Sequence, residues 1–254
     1  MAHERVRQEF TRQAPHLEAA PAFRSSPVLD WLRSAAAAGP GDRLLDAGCG
    51  PGLVLAALAG DVREAVGLDL TEAMLHLAES NCRQAGHGNV RLECSPMEEL
   101  PFDDASFDVV VSRLTLHHLE DPERALGEMA RVLRPGGRLA LADLAASEVA
   151  EEAALHDALE TIRDPSHVRV LPTTAVRTAL EAAGFAALAR DHHAQPRDFD
   201  EWAAIVGDPA RTDPLRVLLL ALARAGIGAG IELHEEAGQP AFTHHWQLWR
   251  GRRA

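Results

Sequence analysis

The sequence predicts an α/β fold in which a parallel β-sheet is covered by helices on both faces. Apolar runs of strand length alternate with helix-like stretches between residues 42 and 143, and such alternation is typical of strand–helix–strand units. The first apolar run leads through a glycine-rich turn, residues 48–52, into a helix-forming stretch. At 254 residues and 46% apolar content, the chain is long enough to bury one large core.

Residues 1–38 precede this alternation and are predicted to be helical. Phe10 and Gln13 fall near one face of the first helix at helical spacing. Two interpretations stay open for this segment: a helix that packs on the core, or a lid over a bound ligand. Proline lacks the N–H that a helix interior needs, so we expect breaks at Pro15, Pro21 and Pro27.

The core elements follow from the apolar runs and from the residues that cap helices. Thr71 is a good N-cap, since its hydroxyl can accept a free N–H of the first turn, and Pro122 suits a first turn. Gly136 and Gly137 are expected to end the third core helix. The predicted strands lie near 42–47, 64–69, 90–94, 106–112 and 137–143. The predicted helices lie near 51–59, 71–85 and 122–133.

After residue 143 the regular rhythm of strand and helix changes. The stretch 164–172 breaks an amphipathic helical segment, and residues 173–190 read as a helix, a glycine stop and a strand. Residues 230–251 close the chain as a β-hairpin. The further helices that we predict here cover 147–162, 199–207 and 213–226.

Composition excludes several classes of protein. A net charge of −13 makes binding to a phosphate backbone unfavourable. No apolar run approaches the roughly 18–20 residues that cross a bilayer, and the first residues carry no signal-peptide segment. The chain has no Tyr and no Lys, which disfavours reductases that need a Tyr–Lys pair. Its cysteines, Cys49, Cys82 and Cys94, form no CxxC pair, and a reducing cytoplasm is the simplest interpretation.

The glycine-rich turn and the strand after it predict a nucleoside-binding site. Gly48, Gly50 and Gly52 let backbone N–H groups approach a ligand at a helix N-terminus. Asp69 ends the next apolar run, 21 residues beyond Gly48, where a carboxylate can accept both hydroxyls of a ribose. Leu53 stands where the dinucleotide pattern needs glycine. The spacing therefore favours a ribose-bearing ligand other than NAD.

These residues resemble the cofactor site of class I S-adenosyl-L-methionine (SAM)-dependent methyltransferases. The stretches ELPFDDASFDVVVSRLTLHHL (99–119) and EMARVLRPGGRLALAD (128–143) are similar to the type-11 branch of that superfamily. IRDPSHVR (162–169) and AGQP (237–240) resemble a subgroup of uncharacterised bacterial small-molecule methyltransferases. The resemblance implies a Rossmann-like, doubly wound, seven-stranded sheet with an antiparallel last strand and a helical cap.

The resemblance also implies how one SAM-binding domain, residues 1–254, is organised. Residues 42–143 would form the SAM-binding core, and residues 1–38 an N-terminal helical lid. The cap would consist of two segments, 145–172 and 196–226. The expected partner is a small-molecule substrate, with no nucleic acid and no membrane, and the sequence does not decide between a monomer and a homodimer.

Each part of SAM needs a different partner in the protein. Asp46 and Arg113 would serve the amino-acid tail, and Asp69 would bind the ribose unless it only caps a helix. Pro96 stands where many relatives have an acidic residue for adenine, so adenine recognition would pass to the Met97 and Glu98 backbone. The full set of expected cofactor contacts is Asp46, Gly48, Cys49, Gly50, Gly52, Asp69, Leu70, Met74, Met97, Glu98, Arg113, Phe10 and Gln13.

Histidines are the candidates for catalysis, because imidazole transfers protons near neutral pH. His117 is either a base or a structural residue, and His167 either enters the substrate pocket or lies exposed at a helix boundary. We expect no metal site. The pairs His192-His193 and His244-His245 lie on predicted strands, so the two members of a pair would face opposite ways and could not chelate one ion.

The function that follows is methyl transfer from SAM to a small-molecule acceptor. The alternative is a SAM-utilising enzyme on the same fold that transfers no methyl group, such as an intramolecular cyclase or a lyase. The identity of the acceptor and its reacting atom are left open by the sequence.

Overall fold

The computed structural model describes residues 2–19 and 27–254, and its centre is one mixed β-sheet. The strands are β1 (Arg43–Ala47), β2 (Glu64–Asp69), β3 (Val90–Cys94), β4 (Phe107–Arg113), β5 (Leu133–Leu144), β6 (Phe185–Asp198), β7 (His234–Glu236) and β8 (Gln239–Arg253). Their order across the sheet is β3-β2-β1-β4-β5-β8-β6, and β7 pairs with β8. Neighbours from β3 to β5 are parallel, whereas β8 runs antiparallel to β5 and β6. The predicted antiparallel last strand is thus confirmed, and the short β7 is an addition to the seven-stranded path.

Helices cover both faces of the sheet, and others lie beyond the carboxyl ends of its parallel strands. They are α1 (Ala2–Ala19), α2 (Pro27–Ala36), α3 (Leu53–Leu58), α4 (Glu72–Gln84), α5 (Pro122–Val132), α6 (Ala150–Arg163), α7 (Thr173–Ala182), α8 (Phe199–Val206) and α9 (Pro209–Arg224). Within the described residues, no helix is both long enough and apolar enough to cross a bilayer.

Alternate residues of the buried strands belong to two separate apolar cores. Val110 on β4 packs in a cluster with residues of α5 and α7, such as Leu126 and Leu180. Its neighbours Val109 and Val111 pack in a second cluster with residues of α2, α3 and α4. Successive strand side chains point to opposite faces of a sheet, so helices cover both faces. The doubly wound α/β prediction is confirmed.

A third apolar cluster lies outside the sheet core. It joins α6, α8 and α9 to the start of β8 through Leu159, Phe199, Trp202, Leu219 and Phe242. Helices α6, α8 and α9 come from the segments expected to form a cap, and they share a buried core with the start of β8. A group of helices packed in this way can hold side chains in place beyond the carboxyl ends of the strands.

Two of the proline expectations can be compared with the structure, and one is wrong. Pro15 lies inside α1 and does not end it. Its neighbours Ala14 and Leu17 are buried against Met74 of α4, and this packing offsets the hydrogen bond that proline removes. Pro27 is the first residue of α2, as its missing N–H allows. Pro21 lies outside the described residues.

The expectation that Gly136 and Gly137 end the third core helix is also wrong. Helix α5 ends at Val132, and β5 begins at once with Leu133, which is fully buried and pairs with Phe107. The pairing then shifts to Val109 with Arg138. The two glycines lie in this irregular stretch of the strand, where Gly136 has a φ of +74°. Burial of Leu133 ends the helix before the glycines are reached.

Candidate active site

A chamber of about 1550 Å³, its open mouth included, lies at the carboxyl ends of the parallel strands. One side is formed by the ends of β1, β2 and β4, and the opposite side by α1, the cap helices and the start of β8. Ligands of open α/β sheets bind outside the carboxyl ends of the strands. The chamber is therefore the candidate ligand site.

The glycine-rich turn brings its backbone to the chamber wall. The N–H groups of Gly48 and Cys49 both donate to the Leu68 carbonyl, at 2.8 and 2.9 Å. Gly48 has a φ of +74°, and a Cβ there would lie 2.4 Å from the Thr115 side chain. Gly50 also has a positive φ, yet a Cβ on it would meet nothing within 4 Å. Gly48 is thus required by the fold, whereas the space beside Gly50 is open.

Gly52 is the one expected cofactor contact that does not line the chamber. It precedes α3 with a φ of +77°, and a Cβ there would lie 2.7 Å from that of Ala78 on α4. This glycine lets α3 and α4 pack closely. The close packing of α3 on α4 therefore explains why position 52 is glycine.

Asp69 connects the glycine turn to the start of α4. Its Oδ2 accepts the Gly50 N–H at 2.9 Å, and its Oδ1 accepts the Thr71 N–H at 2.9 Å. Burial raises the pKa of Asp69, and the two backbone hydrogen bonds oppose that rise. Thr71 is the N-cap residue of α4, as predicted, but its hydroxyl accepts no N–H of the first turn. The Asp69 side chain nevertheless lines the chamber.

Asp46 is a buried carboxyl group facing the same chamber. Only 1% of the residue is exposed, and neither of its oxygens has a hydrogen-bond partner among the described residues. Burial and the charge of Asp69 raise its pKa to about 8, against the opposing charge of Arg113. Buried polar groups are normally hydrogen-bonded. A cationic ligand group at this chamber wall would favour the charged form of the carboxyl and lower its pKa.

An apolar strip continues the wall beyond Asp69. Leu70, Met74 and Met97 line the chamber together with Pro96 and Glu98. Met74 and Met97 are buried, so flat apolar surface of a ligand can be desolvated there. All five lie next to Asp69 in sequence or at the end of the adjoining strand β3.

Helix α1 covers the opposite side of the chamber. Gln13 is buried and donates from Nε2 to Asp164 Oδ2 at 3.1 Å. The Phe10 ring meets the His118 ring edge-on, with centroids 4.9 Å apart. Phe10 and Gln13 both line the chamber. Helix α1 is therefore tied to the loop after α6 as well as to the sheet side.

His117 forms a buried pair with Asp143, whose importance the sequence did not reveal. His117 Nδ1 lies 2.5 Å from Asp143 Oδ1, while Asp143 Oδ2 accepts the N–H groups of Thr115 and Leu116 at 3.0 and 2.7 Å. Burial lowers the pKa of His117, but the charge and hydrogen bond of Asp143 outweigh it, so the net shift is upward. His117 also lines the chamber. A carboxylate on Nδ1 orients an imidazole for proton transfer at its other nitrogen.

His118, next in sequence, lies in a different environment. Its Nδ1 is 3.1 Å from the Ser166 carbonyl. Burial, followed by the charge of His117, lowers its pKa to about 3. His118 is thus a neutral side chain at neutral pH, and it lines the chamber between Phe10 and His117.

The structure does not bring His167 to the chamber wall. Its Nε2 lies 2.9 Å from Asp157 Oδ1, and its ring centroid is 5.8 Å from that of His117. The residue is 4% exposed, so the alternative of an exposed histidine at a helix boundary is wrong as well. Asp157 also accepts the Val170 N–H at 2.8 Å. His167 therefore holds the loop after α6 from behind.

Several chamber residues come from the cap and were not predicted as site residues. His244 is buried, and Arg163 lies over the Trp202 ring at 4.7 Å. The members of this group are Arg163, Gln195, Arg197, Trp202, His244 and Trp246. They lie far apart in the chain, so no local pattern marks them.

Histidines from different elements also meet away from His117 and His167. His192 Nε2 lies 3.2 Å from His245 Nδ1 across neighbouring strands. His156, Glu160 and His244 place one ligand atom each within 4.8 Å of one another. The expectation of no metal site was based only on histidines that are adjacent in the chain. The signal that it missed was the spacing of His156 and Glu160, four residues apart on α6.

Comparisons with known proteins agree on one family. The family described as a methyltransferase domain matches residues 45–141. The chain is 36% identical over 170 residues to the uncharacterized methyltransferase YcgJ of Bacillus subtilis, a match that covers 66% of each chain. The crystal structure of YcgJ superposes with a TM-score of 0.82 and 30% identity, over 89% of this chain and 97% of YcgJ.

Two further relatives have named activities. The malonyl-[acyl-carrier protein] O-methyltransferase of Serratia marcescens is 35% identical over 178 residues, which covers 70% of this chain and 66% of the relative. The 27-O-demethylrifamycin SV methyltransferase of Amycolatopsis mediterranei is 44% identical over 106 residues, 41% of this chain and 39% of the relative. In sequence, the match thus spans about two thirds or less of these curated relatives. The residues that the family matches, 45–141, include the glycine turn and Asp69.

Proposed function

The chain belongs to the class I SAM-dependent methyltransferases, and we propose that it transfers a methyl group to a small-molecule acceptor held in the chamber. One observation carries this proposal: the chamber joins the glycine turn, the buried Asp46 and the half-buried Asp69 to a second, unrelated wall made by α1 and the cap. The first wall has the features of a nucleoside site, and the second offers space for another molecule beside it.

The residues of the first wall fit SAM. The unpartnered carboxyl of Asp46 suits the ammonium of the amino-acid tail, and the open space beside Gly50 admits the tail itself. Asp69 is placed to accept ribose hydroxyls, and the strip of Leu70, Met74 and Met97 to contact adenine. When bound, SAM supplies an electrophilic methyl group on a sulfonium.

The second wall is proposed to hold the acceptor. Trp202, His244 and Trp246 are buried residues that line the chamber on this side. We assign residues 1–38 as the lid and segments 145–172 and 196–226 as the cap. Together they would exclude water and hold the acceptor in line with the methyl group, which is the main task for such an electrophile.

His117 is proposed as the general base. Its bond to Asp143 leaves Nε2 as the nitrogen that can take a proton from an acceptor, and the residue lines the chamber. His118 is kept neutral by burial and is a poorer base. His167 is assigned a positioning role, because it contacts Asp157 behind the wall.

The net charge and the cysteines support a proposal for the acceptor class and the location of the enzyme. The net charge of −13 argues against nucleic acid as an acceptor. Cys49, Cys82 and Cys94 are all free thiols, which supports a reducing, cytoplasmic location.

Methyl-labelled SAM tests this function. The protein is incubated with it and with an extract of bacterial metabolites, and both the labelled product and S-adenosylhomocysteine are measured. Methyl transfer yields both in equal amounts. Consumption of SAM without S-adenosylhomocysteine would instead indicate the cyclase or lyase alternative, and no consumption with any extract would contradict the proposal.

The same assay separates the histidines. His117→Asn should lower turnover by roughly 10²–10⁴-fold, the range of a lost general base, and leave SAM affinity nearly unchanged by calorimetry. His167→Asn serves as the matched variant. It should lower the melting temperature, and it should reduce turnover far less than His117→Asn does. The opposite result, a large loss of turnover only in His167→Asn, would move the base to that residue.

A further inference from the structure

We propose that His156, Glu160 and His244 form a binding site for a divalent transition-metal ion, Zn²⁺ being the best match, at the cap side of the chamber. His156 and Glu160 lie four residues apart on α6 and so share one face of that helix. His244 reaches them from β8. Two imidazoles and one carboxylate are a common ligand set for zinc.

The spacing of the three groups matches a metal site better than a hydrogen-bonded cluster. Glu160 Oε1 lies 3.3 Å from His244 Nε2 and 3.7 Å from His156 Nε2. A tetrahedral ion with ligands at 2.0–2.1 Å requires neighbouring ligand atoms to be about 3.4 Å apart. Charge-assisted hydrogen bonds are shorter, at about 2.7–2.9 Å. These two separations lie close to the edge of a coordination tetrahedron, and all three ligand atoms lie within 4.8 Å of one another.

The same atoms have no other use in the described part of the chain. His156 Nδ1 and Nε2, Glu160 Oε1 and His244 Nε2 are buried and make no hydrogen bond to any described residue. The exposed fractions of the three residues are 3%, 2% and 7%. Leaving so many polar atoms unpaired in one buried place is costly. A bound cation would satisfy one atom of each residue at once.

Glu160 is already oriented for such a role. Arg163 donates to Glu160 Oε2 from Nε and Nη2, at 3.1 and 2.9 Å. Both donors bind Oε2, which leaves Oε1 directed at the two imidazoles. Partners of this kind, behind the ligands themselves, commonly orient a metal-binding carboxylate.

Two cationic side chains lie close to the proposed site. Arg163 donates to Glu160, and the charge of Arg197 acts on His244. The nearby guanidinium groups of Arg163 and Arg197 disfavour additional positive charge, so the affinity should fall short of that of a structural zinc site.

Three protein ligands leave one tetrahedral position for a further ligand, which is the usual arrangement of a catalytic rather than a structural zinc. His244 itself lines the chamber. The remaining position is therefore placed at the proposed acceptor wall, where an oxygen, nitrogen or sulfur of a small molecule, or a water, would complete the coordination. Ion binding itself does not depend on methyl transfer, so it can be tested separately.

Equilibrium dialysis of the untagged, chelator-stripped protein against Zn²⁺ gives the direct test, with bound metal measured by mass spectrometry. About one ion per chain is expected for the wild type, with an increase in melting temperature as for any ligand of the native state. Co²⁺ in place of Zn²⁺ should show the intense visible absorption of a tetrahedral site. Glu160→Gln and His244→Gln should each weaken binding by at least about tenfold.

His192→Gln is the matched control. It removes a histidine of the His192–His245 contact and leaves the three proposed ligands intact. It should bind metal like the wild type. Circular dichroism establishes that each variant is folded. Wild-type protein that binds no Zn²⁺ at micromolar free ion, or a His192→Gln variant that loses binding as fully as His244→Gln, would overturn the proposal. Neither result would change the interpretation of the methyl-transfer assay.

Discussion

At the scale of single residues, the glycine turn separates two reasons for the absence of a side chain. At Gly48 a Cβ would collide with the Thr115 side chain, so the fold itself requires glycine. At Gly50 a Cβ would enter open space at the chamber wall. Substitution at Gly50 therefore tests the cofactor position with the least damage to the fold.

Gly50→Ala should weaken SAM binding by at least about tenfold, or about 1.4 kcal/mol, because the added methyl group occupies space proposed for the cofactor tail. Gly136→Ala is the matched control. It also has a positive φ, +74°, and open space around its Cβ, but it lies at the start of β5 and does not line the chamber. Each variant should lose about 1–2 kcal/mol of stability from the left-handed backbone. Calorimetry that finds equal SAM affinity in both variants would place the tail elsewhere.

Local residue patterns were sufficient for the cofactor wall and insufficient for the proposed base. Asp69 lies at a strand end, and its distance from the glycines along the chain is enough to identify it as a candidate ribose ligand. The sequence left His117 open between a base and a structural residue, because its partner Asp143 is on another strand. The expectation for His167 rested on a resemblance in the loop, whereas packing behind the wall decided its orientation.

At the scale of secondary-structure elements, α1 is the part proposed as the lid. It packs on α4 and α8 through one small apolar cluster. Its polar contacts include Arg12 Nη1 to the Val206 carbonyl at 2.6 Å and Gln13 to Asp164. Segments held by few buried contacts open most readily. A lid needs this property, since ligands must enter beneath it.

SAM should slow hydrogen exchange of α1 amides when it binds, because a closed lid protects them. Gln13→Ala should reduce that protection, since it removes the buried link to the loop after α6. Gln8→Ala is the control, because Gln8 only bonds Glu4 within the same exposed helix. Mass spectrometry of exchange over residues 3–17 measures the effect. Identical protection in all three proteins, or none in the wild type, would contradict the lid assignment.

The misplaced element boundaries have a common physical cause. Proline and glycine have local effects on the backbone, but burial of neighbouring residues can outweigh them. Pro15 stays inside α1 because the helix packs on α4 on either side of it. Helix α5 stops before its glycines because Leu133 is buried as the first residue of β5. Tertiary packing thus overrode two sound local signals.

At the scale of the whole molecule, buried histidines make stability depend on pH. His118 has a folded-state pKa of about 3, below the unfolded value of about 6.5. Between these two values the unfolded chain binds more protons than the folded one, so stability is lost as pH falls through this window. His117 has a raised pKa, so its contribution is complete below pH 6.5 and adds no slope there.

The free energy of unfolding should therefore decrease by about 1.4 kcal/mol per pH unit for His118 between about pH 6 and 5. His118→Asn should flatten the wild-type slope by this amount, and His234→Asn, a change at an exposed position on β7, serves as the control. Urea unfolding at several pH values, with a metal chelator present, measures the slope. An unchanged slope in His118→Asn would show that His118 is not kept neutral by the fold.

Local chemistry was enough to predict the α/β class, the strands of the core, the closing hairpin and the nucleoside side of the chamber. The reason is that a strand, a glycine turn and a carboxylate at the next strand end form one continuous stretch of chain, residues 43–69. The acceptor side was decided only by the tertiary structure. Its side chains come from α1, α6, α8 and β8, which lie far apart in the sequence and are brought together by packing. The histidine–carboxylate pair and the His156–Glu160–His244 cluster exist only because that packing places buried polar atoms against one another.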